Sequence, residues 1–177
     1  IIAAANPKGG RWISTKSVAE NIILPPTILS RFDLIFVMED RPDIEKDRAI
    51  AEHIVDTHIG VNPMARPIMD SETLKKYIAF ARRIRPKVSR KAAERIKEYY
   101  LTLRMQTPQS EAMYEGEAPI PITPRQLEAL IRLAEAHAKM LLKETVDIED
   151  AEAAIELMNY MLKTVAYDVS IGGIDIH

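Results

Sequence analysis

The chain has 177 residues, of which 47% are hydrophobic and 28% charged, so it has the composition of a folded protein rather than a disordered one. The net charge of −2 gives no bulk basicity for nucleic acid, and without cysteine there are no disulfides, thiolate metal sites or cysteine nucleophiles. No apolar run approaches the ~20 residues of a membrane span, and Ile1–Ala5 has no basic leader of the kind that opens a secretory signal.

Ile1–Ala5 is a short apolar run stopped by Asn6-Pro7, and Asp33–Met38 is a second, stopped by Glu39, Asp40, Arg41 and Pro42. Neither alternates, so both read as strands of a parallel sheet buried on both faces. Between them Gly9-Gly10 marks a turn, and Pro25-Pro26 opens a short helical turn with proline at its first position. Two such strands cannot stand alone, so partner strands are expected from residues beyond this chain.

From Pro42 onward the periodicity is helical. Asp43 is expected to cap a helix to about Thr57, with Ile50 and Ile54 one turn apart. Ser71 caps a second with Leu74, Ile78 and Ala81 on one face, ended by Arg85-Pro86. Ser89 caps a third carrying Ala93, Ile96, Tyr100 and Leu103. Thr107–Ile122, with three prolines and a glycine, reads as a long loop. Thr123-Pro124-Arg125-Gln126 combines an N-cap, a proline at N1 and a glutamine at N3, and Leu127, Leu130, Ile131, Ala134, Ala138 and Leu141 follow on one face. Asp147 caps the last helix, with Ala151, Ile155, Met158 and Leu162 inward, and Ser170–His177 reads as a linker or tail.

No glycine is followed by lysine, so the phosphate loop G-x-x-x-x-G-K-[ST] is absent from these residues. Leu34–Asp40 resembles the acid-ended strand of a Walker B motif, but its pair is Glu-Asp and no phosphate loop precedes it. His53 and His58 are five apart, which splays them on a helix, and a serine triad has no nucleophile elbow to support it. Lys75–Arg104 holds eleven basic and two acidic residues, and Asp33–Asp56 eight acidic and three basic. The basic stretch suits either phosphate contacts or a solvated helix face.

Three polar residues occupy positions where ligands are met. Asn6 ends an apolar run, where α/β sheets place ligands, or else is a turn residue. Arg31, between a helical turn and an apolar run, suits a cap on helix carbonyls, a pair with Asp33 or a surface position. Arg125 lies in the first turn of its helix, where the dipole disfavours a cation unless an anion arrives.

Asn6-Pro7 after an alanine-rich run, Leu24–Leu34 (LPPTILSRFDL) and Thr123–Glu128 (TPRQLE) together resemble the MCM replicative helicases, hexameric AAA+ motors that unwind DNA with ATP. The resemblance spans about Ile1 to Val165, and the LPPTILSRFDL stretch is its most specific part. It implies an α/β class: the C-terminal part of an AAA+ P-loop core with two parallel strands, over residues 1–42, then a mostly helical lid, over 43–166, and a linker, over 167–177, toward a winged helix. By the same resemblance Asn6 is the sensor 1 asparagine, Arg31 an arginine finger acting on the neighbouring subunit's ATP, and Arg125 the sensor 2 arginine. ATP and Mg²⁺ would be held mainly by residues outside this chain, which alone is expected to be inactive. Partners implied are a homo-hexamer, the N-terminal half of the ATPase module, and single- and double-stranded DNA, with no membrane and a cytoplasmic, nucleoid-associated setting in an archaeon. The competing readings are a non-catalytic helical interaction module and another AAA+ ATPase of the MoxR or chelatase type; Pro25–Asp33 argues against the latter.

Overall fold

The computed structural model describes residues 1–13, 16, 18–29, 31–38, 42–61, 67–106 and 122–167. The chain divides into two compact units, Ile1–Val37 with Ile84–His177, and Met38–Arg83. The Glu39-Asp40 pair, residues 107–121 of the expected loop and the tail beyond Tyr167 lie outside the described residues.

The first unit begins with a 3-10 turn at Lys8–Gly10, in which Gly9 and Gly10 take φ of 68° and 72°, a region open to glycine. Two single-turn helices follow, α1 (Val18–Asn21) and α2 (Pro26–Leu29). Buried Asn21 clamps the preceding loop: its side chain accepts from the Ile13 N–H and donates to the Ile13 and Lys16 carbonyls, all at 2.9–3.0 Å.

Neither apolar run expected as a strand is one. Among the described residues neither Ile1–Ala5, which is exposed, nor Asp33–Val37 has a ladder partner. A strand exists only through its neighbour's hydrogen bonds, and none among the described residues supplies them. Leu34, Ile35 and Val37 instead rest against the helical core. The parallel pair lies elsewhere, between β1 (Lys87–Val88) and β2 (Thr145–Val146), with Lys87 opposite Thr145 and Val88 opposite Val146.

Each of these short strands runs straight into a helix, α5 (Arg90–Gln106) after β1 and α7 (Ile148–Tyr167) after β2. The pairing therefore starts the two helices side by side. Arg95 grips Glu152 with bonds of 2.5 and 3.2 Å, and further along Tyr99 donates to Asn159 at 2.5 Å, so the helices run in the same direction. Burial pushes the Tyr99 phenol up to about 12, against a smaller lowering by Arg95, which keeps it a donor. Between β1 and β2 in sequence lies the long helix α6 (Pro124–Met140), whose packing with α7 is the most extensive among the described elements. Ala92, Ile96, Leu130, Ala134, Ala138, Val146, Ala151, Ile155 and Met158 form the core. Ala92, rather than Ala93, faces inward, and Leu141 is exposed at the helix end. Fully burying a side chain such as Leu130 contributes about 2 kcal/mol.

The turn from α6 to β2 is a Schellman motif: the Lys143 N–H donates to the Ala138 carbonyl (2.9 Å) and the Leu142 N–H to that of Lys139 (3.0 Å). Leu142 takes the glycine-type position at φ 55°. The turn delivers Lys143 to Asp150, which has no solvent exposure. One Asp150 oxygen accepts from Lys143 Nζ and the Asp147 N–H, both at 2.7 Å, and the other lies 2.8 Å from His137 Nδ1. Burial pushes the Asp150 carboxyl up, but the bonds from Lys143, Asp147 and His137 outweigh it and hold it below its ordinary value of 3.8.

In the second unit, α3 (Ile44–His58) starts at Asp43, whose carboxylate accepts from the Glu45 and Lys46 N–H groups at 3.1 and 3.2 Å. Helix α4 (Ser71–Ala81) is capped by Asp70, not Ser71: its carboxylate accepts from the Glu72 and Thr73 N–H groups (both 2.9 Å) and from the Thr73 hydroxyl (2.6 Å). An ionised carboxylate is the stronger acceptor, which moves the boundary back by one residue. Ile50, Ile54, Leu74 and Ile78 keep their helical spacing but stand exposed. Among the described residues, no helix is long and apolar enough to cross a membrane.

Because the folded pKa of Asp150 is depressed, its stabilisation is present above 3.8 and lost as pH falls through the lower folded value. Asp150→Asn is expected to cost about 3 kcal/mol at pH 7. Urea unfolding at pH 7 and below pH 3 checks this: the deficit should narrow in acid. Leu142→Gly should stabilise by up to about 1 kcal/mol in the same assay, relieving the left-handed backbone.

Candidate functional site

The residues around Arg31 are placed by Leu29. The Pro25 carbonyl accepts from the Ile28 and Leu29 N–H groups at 2.8 and 3.2 Å, and Leu29 is buried in the core. The turn then closes with Arg31 N–H to the Ile28 carbonyl (3.0 Å) and Phe32 N–H to that of Leu29 (3.1 Å). An apolar anchor and two short turns thus carry an exposed arginine on a fixed backbone.

Arg125 is fixed by its helix start. The Thr123 N–H donates to Gln126 Oε1 at 2.8 Å, the Thr123 hydroxyl donates to the same oxygen at 2.8 Å, and the Arg125 N–H donates to Thr123 Oγ1 at 3.3 Å. This is a capping box with Pro124 at N1, and Gln126 is buried. Arg125 itself is exposed at the second helical position.

The two arginines line one cleft of about 370 Å³, together with Phe32, Asp33, Gln126, Glu128, Ala129 and Arg132. Arg132 binds Asp33 side-on, Nε to Oδ2 at 3.1 Å and Nη2 to Oδ1 at 2.6 Å, and its Nη1 lies 3.6 Å from Glu128. The hydrogen bonds that Arg132 donates to Asp33 lead the rise of its pKa above the ordinary value. Asp33 therefore pairs with Arg132, not Arg31. Neither Arg31 nor Arg125 has a carboxylate partner among the described residues. The cleft can offer two guanidinium forks to an anion, and the dipole of α6 adds to their attraction. A phosphate group fits that donor set in charge and geometry.

Asn6 does not line this cleft and stands exposed at the end of an unpaired run. No described residue holds its backbone in a sheet, and the structure brings together two of the three candidate residues. Arg132 and Asp33 were not among the candidates. A usable signal was present: Arg132 lies seven residues, two helical turns, after Arg125 and so shares its face. Among the described residues, no group of three histidines or carboxylates is gathered as metal ligands; His53 and His58 lie on α3.

The family model for the MCM P-loop domain matches residues 1–58, and that for the MCM AAA-lid domain matches residues 72–162. The class is therefore the C-terminal part of an MCM P-loop domain continued into an AAA lid. The chain belongs to the MCM family. It is 49% identical to the minichromosome maintenance protein MCM of Saccharolobus solfataricus, over 99% of this chain and 25% of that protein. It is 41% identical to the DNA replication licensing factor MCM4 of Arabidopsis thaliana, over 99% of this chain and 21% of that protein. With Xenopus laevis mcm5-A the identity is 37%, over 99% and 24%. The chain thus spans about a quarter of the length of these relatives.

Thr123→Ala removes the cap that holds Arg125 and should cost about 1 kcal/mol in urea unfolding. Hydrogen exchange should localise the loss, with the Arg125 and Gln126 amides exchanging faster and the α7 amides unchanged.

Proposed function

We propose that this segment is the interface-facing part of an ATP-driven ring helicase of the MCM family, working on DNA in replication. The core part is residues 1–42, the lid 43–166 and the linker 167–177. The observation that carries the reading is the shared cleft of Arg31 and Arg125: two guanidinium groups without carboxylate partners among the described residues, beside a third that is already neutralised.

In this reading ATP supplies the scissile phosphoanhydride, and Mg²⁺ accompanies it, both held mainly by residues outside this chain. Arg31 is an arginine finger that reaches the nucleotide of the adjoining subunit in a homo-hexamer. It stabilises charge on the transferring phosphoryl group, a contribution of roughly 10³–10⁵ in rate in nucleotide hydrolases. Arg125 binds the same phosphates from the lid as sensor 2, and the capping box limits the entropy lost in doing so. Asn6, as sensor 1, orients the attacking water; the Asn6-Pro7 sequence after an apolar run supports this role. The exposed position of both arginines suits an interface that completes the site when it closes. The protein acts in the cytoplasm, at the nucleoid.

Arg31→Ala should lower ATP hydrolysis by the full-length ring by about 10³-fold or more while ATP binding persists. Rings mixed from wild-type and variant subunits separate the directions of action: the damage should fall on the neighbour's site. Damage confined to the variant subunit's own site would remove the trans role. The 177-residue chain alone, lacking the phosphate loop, should not hydrolyse ATP.

A further inference from the structure

The segments that carry Arg31 and Arg125 are joined by a second pair of residues. Asp33 follows Arg31 by two positions, and Arg132 follows Arg125 by two turns of α6. The contact is a side-on fork, with Nε and Nη2 each bonded to a different carboxylate oxygen of Asp33. Two parallel bonds fix the rotation of the guanidinium plane as well as its distance. Arg132 is half exposed and Asp33 is 40% exposed. A pair so open to water contributes at most about 1 kcal/mol to stability. Its geometric effect is larger, because it ties a segment that has no sheet partner among the described residues to a long helix packed into the core.

The pair also settles a competition. Only Phe32 separates Asp33 from Arg31, and both line the same cleft, so a free Asp33 carboxylate would compete for that guanidinium. Arg132 occupies both oxygens of Asp33 and leaves Arg31 available. Glu128, 3.6 Å from Arg132 Nη1, is turned to Arg132 in the same way.

Building on the proposed role of Arg31 and Arg125, we infer that Arg132 and Asp33 are positioning residues. They lock the arginine-bearing turn to the lid helix, so that both arginines meet one phosphate group as a unit, and they keep Asp33 from capturing Arg31. Neither touches the nucleotide.

The test uses the full-length ring with Asp33→Asn, Arg132→Gln, Arg132→Lys and the double variant Asp33→Asn/Arg132→Gln. Each single change should lower kcat for ATP hydrolysis by about 10- to 100-fold, as expected for a misplaced catalytic group. KM for ATP should stay within about twofold, since only transition-state contacts are lost. Arg132→Lys should not rescue, because an ammonium cannot form the fork. The double variant should be no worse than the poorer single one, as for two residues acting through one contact. Tm should move by less than about 3 °C, which a purely structural role would not allow at that loss of rate. In mixed rings the deficit should fall on the neighbouring subunit's site.

A wild-type kcat in Asp33→Asn would overturn the inference, as would additive losses in the double variant. So would a raised KM in Arg132→Gln with Asp33→Asn silent, which would make Arg132 a nucleotide contact. Arg31→Ala, measured in parallel, separates the two levels. If Arg31→Ala abolishes hydrolysis and Asp33→Asn keeps the wild-type kcat, only the positioning role falls. If Arg31→Ala hydrolyses ATP normally, the reading of the arginines falls and takes the positioning role with it.

Discussion

The lid depends on one buried carboxylate. Asp150 sits in the first turn of α7 with no exposure to water, where an unpaired charge would cost several kcal/mol. It is paid for by three donors from three places: Lys143 from the turn after α6, His137 from the last turns of α6, and the Asp147 N–H at the start of α7. The helices cannot slide past one another without breaking at least one of these bonds. Even the left-handed Leu142 follows from this constraint, because the Schellman turn brings the next residue, Lys143, back onto Asp150.

Rigidity at that end of α6 matters at the other. The helix carries Ala129, Leu130, Ala134 and Ala138 against the core, so its N-terminal turn is held by packing as well as by the Thr123–Gln126 box. Arg125 therefore leaves a firm base. On the opposite wall, Leu29 gives Arg31 an equivalent anchor. Three arginines in one cleft would repel each other, but Arg132 is neutralised by Asp33 and Glu128, and the other two face solvent, where screening is strong. The net result is a local excess of positive charge in a chain whose overall charge is −2.

The helices were legible in the sequence because their signals are local. The TPRQ box and the 3.6-residue spacing from Leu127 to Ala138 specify α6 within a few turns, and Asp43 marks the start of α3. Asp70 displaced Ser71 because a sequence pattern does not decide which of two adjacent caps has the better acceptor. Strands are different: Ile1–Ala5 and Asp33–Met38 have strand-like composition, but pairing is non-local, and no partner is present among the described residues. The parallel pair formed instead at two-residue stretches, Lys87–Val88 and Thr145–Val146, too short to carry a pattern of their own. The same limit hid the Arg132–Asp33 contact, whose members are 99 residues apart. Arg31 and Arg125 stood out by motif and by a misfit with the helix dipole. That they share a cleft follows only from the fold.

The cleft also bears on how such a site works. It presents donors for an anion, but the chain carries no phosphate loop to wrap a triphosphate. A face of this kind completes a binding site more readily than it forms one. Under the proposed reading, the remaining half belongs to the neighbouring subunit, and the two halves meet only when the interface closes. Differential binding then has a structural basis: fixed guanidinium groups contribute little until the phosphoryl charge is in reach, and their contribution grows as that charge develops in the transition state. On that reading, anchoring both arginines to one helix and its tethered turn would make their approach a single motion, so that closure of the interface and completion of the site would be the same event.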